Sequence, residues 1–420
     1  MSDLNIMRIL RLIWQAKKVS RVEIASSLKM DKSTVTKIIS ELIEKNLARE
    51  AEAGESGPQG GRKPVFLEIN GSYACSGGIE INPERMYVCL EDFCGTILFE
   101  RMQEITPASY SEKGFLGFLR EGIELLQANA DRLRVKIAGI GIGIPGMVDV
   151  ENESVIQSIP LLIEERVDIP KIAQAWTKVP VFIENDARCC CYTEQILAKN
   201  PQSKNMMFVL AEHRPLQPVE GAPKNLSVGL GLILNGKIYH GANSTAGEFR
   251  SVDWQSPSKT QFSPGSESLN SLDGEAAAKT LRELAKNIAF LVNTLSLDVV
   301  YVGGLEKKRA EEIVKFIREE IVYLWPYAWN KTTVVSIASV SQRAVSYGAA
   351  TKVLDKLFGV PELDEGVRKR RLSHSYSSTY KYLLSLHGPA FRIMERQQKT
   401  LSRKFKRLRT IASPRKRAVE

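Results

Sequence analysis

Apolar residues recur at helical spacing in three short blocks at the start of the chain. Ile6, Leu10, Ile13 and Trp14 fall on one face of a helix running from about residue 5 to residue 16. Ser20-Arg21-Val22-Glu23 reads as a capping box, in which the serine hydroxyl and the glutamate carboxylate each satisfy an orphan backbone amide. Val22, Ala25 and Leu28 continue it as a short apolar stripe. After a turn at Lys29-Met30, Asp31 is suited to cap a further helix, along which Val35, Ile38, Ile39, Leu42 and Ile43 share one face. The other face carries Lys32, Ser33, Thr34, Thr36 and Lys37. Short polar and cationic side chains of this kind reach phosphates and base edges in a major groove. The pattern predicts a three-helix helix-turn-helix, with Ser20 and Arg21 joining those five as candidate DNA contacts.

A Gly-rich stretch follows (Gly54, Gly57, Gly60, Gly61), then Arg62-Lys63-Pro64 and an apolar run over 65–69. Two extended runs around such a tip read as a β-wing that lays Arg62 and Lys63 along a backbone or into a minor groove. The competing reading is a flexible linker with incidental charge. Further on, period-two runs between Ala74 and Phe99 are broken by turns at Asn82–Arg85 and Asp92–Gly95. A helix is expected over about 111–129, a buried strand over 137–144, a short strand at 181–183 and a helix over about 188–198. Strands at 206–211 and 226–234 precede a hairpin turn at Asn235-Gly236. Helices at about 274–296 and 307–324, a strand at 299–302 and a helix over 342–357 complete the pattern. Strand meander followed by helix-linked strands occurs twice, which predicts two similar α/β lobes.

Composition adds less than its distribution. The 420 residues are 43% hydrophobic and 25% charged, ordinary for a globular protein of two or three domains. No apolar run approaches the roughly 18 residues of a membrane span. The N-terminus lacks the basic-then-apolar layout of a signal peptide. Six cysteines, three of them consecutive (Cys189, Cys190, Cys191), form no disulfide framework, so a cytoplasmic location is expected. The net charge of +10 divides unevenly: +3 over residues 1–70, −4 over 71–360 and +11 over 361–420. DNA binding by the first module must therefore rest on shape more than on bulk charge.

The chain resembles the transcriptional branch of the ROK family (repressors, open reading frames and sugar kinases). The resemblance is carried by the N-terminal module with Gly60-Gly61-Arg62-Lys63-Pro64, by the run Gly141–Asp149 containing Gly146, and by Ile183-Glu184-Asn185-Asp186-Ala187. Gly229-Leu230-Gly231, Asn235–Asn243 and Ala246-Gly247-Glu248 continue it. It implies an α/β fold: a winged helix-turn-helix followed by a two-lobed actin-like, hexokinase-like (ribonuclease H-like) domain with a sugar cleft. Asn185 and Asp186 stand at a strand end, where open α/β sheets place ligands. The resemblance makes Asp186 the counterpart of the kinases' catalytic aspartate. It makes Glu248 a second sugar-contacting carboxylate, with Gly146 lining the same site. A helix N-cap is the plain structural alternative for Asn185-Asp186.

The chain departs from the family's kinases in two places. Where they carry Asp-x-Gly-Gly-Thr, Glu80–Arg85 here includes Pro83, which has no amide to donate, and Glu84, which puts negative charge toward a polyphosphate. At about 4 Å and an effective dielectric near 20, each such charge pair repels by roughly 4 kcal/mol. The expectation is no catalytic residue and no cofactor. The family's zinc segment is also missing: Ser251 stands where a ligand histidine would be, and 251–273 holds no Cys or His. No metal site is expected, and the consecutive cysteines are read as core.

Beyond residue 360 the resemblance ends. Arg368–Arg371 and an amphipathic basic stretch around Leu401–Ile411 read as a poorly ordered tail, a second DNA contact, or a dock for a membrane or acidic partner. The expected organisation is a DNA-binding domain at 1–70, a ligand-sensing and dimerisation domain at 71–360 and a basic tail at 361–420. The expected function is a sequence-specific regulator, a repressor of carbohydrate genes. It binds a duplex operator as a homodimer or higher even oligomer under control of a sugar or sugar derivative. Two alternatives stay open: a sugar kinase with an accessory DNA-binding domain, and a ligand-independent DNA binder with a degenerate cleft.

Overall fold

A computed structural model describes residues 3–51, 65–197, 203–263, 274–327, 332–340, 342–359 and 378–387. The chain forms two compact units, one of Met1–Glu68 with Leu357–Glu420 and one of Ile69–Lys356.

The first unit begins with α1 (Asp3–Ala16), β1 (Val19–Ser20), α2 (Arg21–Leu28), α3 (Lys32–Glu44), β2 (Ala48–Glu50) and β3 (Phe66–Ile69). Its core is Ile6, Met7, Ile9, Leu10 and Ile13 of α1, Ile24 and Ala25 of α2, and Val35, Ile38, Ile39 and Leu42 of α3. Val22, read as a core position, is 62% exposed, and Ile24 takes its place. The capping box fixes where α2 starts, and in an eight-residue helix that start decides which side faces inward. The three strands pair in the order β1-β3-β2, with Val19 opposite Leu67 and the Ala51 amide donating to the Phe66 carbonyl at 2.9 Å. This is the strand arrangement of a wing; its tip, with Arg62 and Lys63, lies outside the described residues.

The end of the chain contributes to the same unit. The Phe358 ring packs on Trp14 with centroids 5.5 Å apart. Residues 378–385, inside the stretch read as a tail, are helical and bury Tyr380 and Leu383 one turn apart. The Tyr380 hydroxyl donates to Glu41 Oε1 and accepts from Lys45 Nζ, both at 2.9 Å. At least this part of the tail is docked on α3.

The second unit runs β4 (Cys75–Ile81), β5 (Arg85–Asp92), β6 (Ile97–Glu104), α4 (Pro107–Leu133), β7 (Ile137–Ile144), β8 (Met147–Asp149), β9 (Ser154–Gln157), β10 (Val167–Asp168), α5 (Ile169–Ala173), β11 (Val181–Asn185) and α6 (Asp186–Leu197). It continues with β12 (Met206–Pro215), β13 (Lys224–Leu234), β14 (Lys237–Ile238), α7 (Gly274–Leu295), β15 (Val299–Gly303), α8 (Lys307–Tyr323), β16 (Val334–Ile337) and α9 (Ala344–Phe358). Two five-stranded sheets have the orders β6-β5-β4-β7-β11 and β14-β13-β12-β15-β16. In each, an antiparallel meander is followed by two parallel strands on its inner side. The doubled pattern in the sequence is this doubled topology.

α6 and α9 share a core with the second sheet: Ala187 and Cys189–Cys191 meet Phe208, Tyr301, Val345 and Ala349. The three cysteines are buried, and burial pushes their thiols up. α9 also lies tight against the first sheet, which requires glycine there. A Cβ on Gly78 would stand 1.9 Å from the Ser346 carbonyl oxygen, and one on Gly141 would stand 1.8 Å from that of Ala349. Gly141, part of a run that reads as a binding motif, therefore serves helix packing.

Candidate functional site

The N-terminus of α3 is built by Asp31, whose Oδ2 accepts from the Ser33 and Thr34 amides, both at 3.1 Å. The Ser33 hydroxyl donates to the same oxygen at 2.5 Å, and the Thr36 hydroxyl donates to the Lys32 carbonyl at 2.8 Å. Lys32, Ser33, Thr36 and Lys37 are exposed on one helix, with Thr34 half-buried beside them. Ser20 closes its capping box with Glu23 at the start of α2. Arg21 next to it pairs with Glu50 of β2 at 2.8 Å, and Arg49 pairs with Glu68 at 2.6 Å. The first of these half-exposed pairs ties β2 to α2, and the second ties β2 to β3. They are weak enough, at about 0–1 kcal/mol, for Arg21 to exchange its partner for a phosphate.

In the second unit β11 ends at Asn185 and α6 begins at Asp186. Asn185 Oδ1 caps α6 by accepting from the Arg188 amide at 3.2 Å, and its Nδ2 donates to the Gly146 carbonyl at 3.2 Å. Gly146 sits at φ +121°, with the Gln157 carbonyl oxygen 2.6 Å from where a Cβ would be, so only glycine fits. Its part is to hold Asn185. Asp186 Oδ1 accepts from the Ala187 amide at 2.7 Å. Burial pushes the Asp186 carboxyl up to about 6; Glu212 and Glu248 add to that shift and Arg214 opposes it. Glu248 pairs by a β-bridge with Gly229 and is exposed to solvent. Enclosure on its other sides still holds its carboxyl above the ordinary range. Gly146, Asn185, Asp186 and Glu248 thus gather at one place, at the capped start of α6.

Two networks beside them escaped the sequence reading. Fully buried Glu184 pairs with Arg188 at 2.8 Å, His240 at 3.0 Å and Lys352 at 3.5 Å. Burial alone would raise its carboxyl, but Lys352, His240 and Arg188 hold it well below the usual range. Arg188 also donates to the Ser244 and Ala246 carbonyls at 3.2 and 3.0 Å, fixing the loop that leads to Glu248. The i, i+4 spacing of Glu184 and Arg188 was the available signal.

The second network occupies the β4–β5 turn. Asn82 Oδ1 accepts from the Glu84 and Arg85 amides at 2.9 and 3.0 Å, so the turn spends its own donors internally. The Glu84 carboxylate pairs with Lys224 at 2.8 Å. Arg85 bridges Glu80 and Glu212, each at 2.8 Å, and Glu212 also holds Arg214 at 2.8 Å. Of the two buried acids, Glu80 is the one pushed up, by burial; Arg214 and Arg85 keep Glu212 below its usual range despite burial. Among the described residues, no group of three or more His, Cys, Asp or Glu side chains is arranged to hold a metal ion, and no helix is long and apolar enough to cross a membrane.

Residues 76–250 match the ROK family, the span that holds Glu80, Asn185, Asp186 and Glu248. The chain carries a ROK-type domain over that span. Residues 4–49, covering α1 to α3, match the MarR family. The chain is 30% identical over 244 residues to a xylose repressor of Staphylococcus xylosus, covering 58% of this chain and 59% of that protein. It is 23% identical over 239 residues to the DNA-binding transcriptional repressor Mlc of Escherichia coli, covering 56% and 54%. The match thus spans under two thirds of the length of these curated relatives. A solved ROK family transcriptional regulator, described as a homologue of the E. coli MLC protein, superposes with a TM-score of 0.64 at 17% identity. That superposition covers 91% of this chain and 98% of the other. A ROK family glucokinase from Streptomyces griseus, solved with glucose and AMPPNP, gives 0.51 at 17% identity over 66% and 98%. The winged helix-turn-helix followed by a two-lobed ROK domain is the fold of this chain.

Proposed function

We propose that this chain is a DNA-binding transcriptional regulator, a repressor of carbohydrate genes whose cleft senses a sugar or sugar derivative. The observation that carries the reading is the coexistence of a capped α3, exposing Lys32, Ser33, Thr36 and Lys37, with a cleft whose β4–β5 turn offers no free amides. Phosphoryl transfer depends on positioning and neutralising the phosphates. A turn that holds Pro83 and consumes its amides on Asn82 does neither, so Asp186 serves here as a ligand acceptor and not as a catalytic base. The repressor names of the similar proteins support the same reading. A single recognition helix reads few base pairs, so the regulator works as a homodimer on half-sites about one helical turn apart. The cytoplasm is its place of work.

The test is a duplex site selected from a random library by the full-length protein, followed by titration at fixed salt. Lys37→Ala and Thr34→Ala each weaken binding about tenfold, with the melting of the second unit unchanged. Wild-type affinity for both variants would rule out this face of α3.

A further inference from the structure

The β12–β13 hairpin is longer than its sheet. Its pairs run from Met206–Ile233 to Pro215–Lys224, but β12 is joined to β15 only from Met206 to Leu210. The rest is a two-stranded ribbon, a form that needs docking for stability. It docks on the first lobe at three points: Glu212 on Arg85 at 2.8 Å, Lys224 on Glu84 at 2.8 Å, and Gln217 Nε2 donating to the Ile159 carbonyl at 3.2 Å. The ribbon is a strap from the second lobe to the first.

At the base of the strap three buried polar atoms have no partner: Glu80 Oε2, Arg85 Nε and Arg214 Nη1. Glu80 and Arg214 are 1% and 5% exposed. One atom is an acceptor and two are donors, and buried groups of this kind are normally met. Asp186 lies within electrostatic reach of Glu212, Arg214 and Glu80.

We propose that Glu80, Arg85, Glu212 and Arg214 form a hydroxyl-binding subsite beside Asp186, so that the cleft takes an uncharged polyol and rejects its phosphate esters. The inference rests on the reading of the cleft as a sensor. A hydroxyl donates its proton to Glu80 Oε2 while its oxygen accepts from Arg85 Nε or Arg214 Nη1. A phosphate dianion brings its negative charge up to the Glu212 carboxylate. It also finds both guanidiniums already neutralised, with Asp186 and Glu248 close by.

The experiment is calorimetric titration of the full-length protein with free pentoses and hexoses and with the matching sugar phosphates. At least one free sugar binds, and its phosphate esters bind at least about tenfold more weakly. Glu80→Gln and Arg214→Lys each weaken the free sugar about tenfold; Arg214→Lys keeps the charge beside Glu212 and covers the case in which the glutamine variant fails to fold. A phosphate ester that binds as tightly as its free sugar overturns the subsite and leaves the sensor reading standing, as does unchanged affinity in both variants. If neither set of compounds binds, the sensor reading falls and the subsite falls with it.

Discussion

Asp186 is kept buried as an acid at a cost, and the cost has a definite pH signature. Its carboxyl titrates near 6 in the folded chain against an ordinary 3.8, because burial and the neighbouring Glu212 disfavour the charged form. A raised carboxyl means that the folded state holds the proton longer than the unfolded chain does. Stability therefore falls as pH rises from about 4 to about 6, and above that the full penalty stays. The shift corresponds to at most about 3 kcal/mol. Asn in place of Asp186 keeps the acceptor for the Ala187 amide, 2.7 Å away, and removes the charge. Asp186→Asn is expected to melt higher than wild type at pH 8 and to converge with it by pH 4. Equal melting temperatures across that range would contradict the burial cost. A group retained against its own stability is the mark of a binding site more often than of a scaffold.

Elements held by local chemistry were legible, and elements held by distant partners were not. The capping box at Ser20 and Glu23, the Asp31 cap and the 3.6-residue stripe of α3 are written within a few residues of each other, and all appear as read. Val22 failed because two turns of helix do not fix a face by periodicity alone. In the cleft, Gly146, Asn185, Asp186 and Glu248 were visible as motifs. The Glu80–Arg85–Glu212 bridge was not, since its halves lie 127 residues apart and polar ribbon residues do not announce a strand. The helix at 378–385 was missed for the same reason: only α3 makes sense of Tyr380. That contact is testable. Tyr380→Phe removes the hydroxyl's bonds to Glu41 and from Lys45 and keeps the ring, at a cost of about 1 kcal/mol. Hydrogen exchange at the C-terminal turn of α3 is expected to speed up several-fold, with exchange in β4 to β16 unchanged. Unaltered exchange in α3 would mean that the tail helix does not brace it.

At the scale of the whole chain, charge and fold are divided between different ends. The two lobes, proposed above to sense a ligand, form a mildly acidic body, while the helix-turn-helix unit proposed to read DNA has only +3 over residues 1–70. The chain's basic excess lies after the docked tail helix. Residues 388–420 hold 11 Lys and Arg against 2 Asp and Glu, and the Tyr380 and Leu383 anchors attach that stretch to the unit that contains α3. A cation-rich segment tethered to a DNA-binding unit adds phosphate contacts without adding sequence information, because only base-edge contacts discriminate. Deleting residues 388–420 leaves the anchors in place, so it separates the two effects. The truncated protein is expected to select the same DNA sequence as the full chain. Its affinity should fall at 0.1 M salt, and its logarithmic salt dependence should be shallower by about 0.9 for each phosphate that the tail neutralises in the full chain. Binding measured from low to high salt checks this directly. A slope equal to that of the full chain would assign the tail's charge to some partner other than DNA, and a changed sequence preference would place part of the readout in the tail itself.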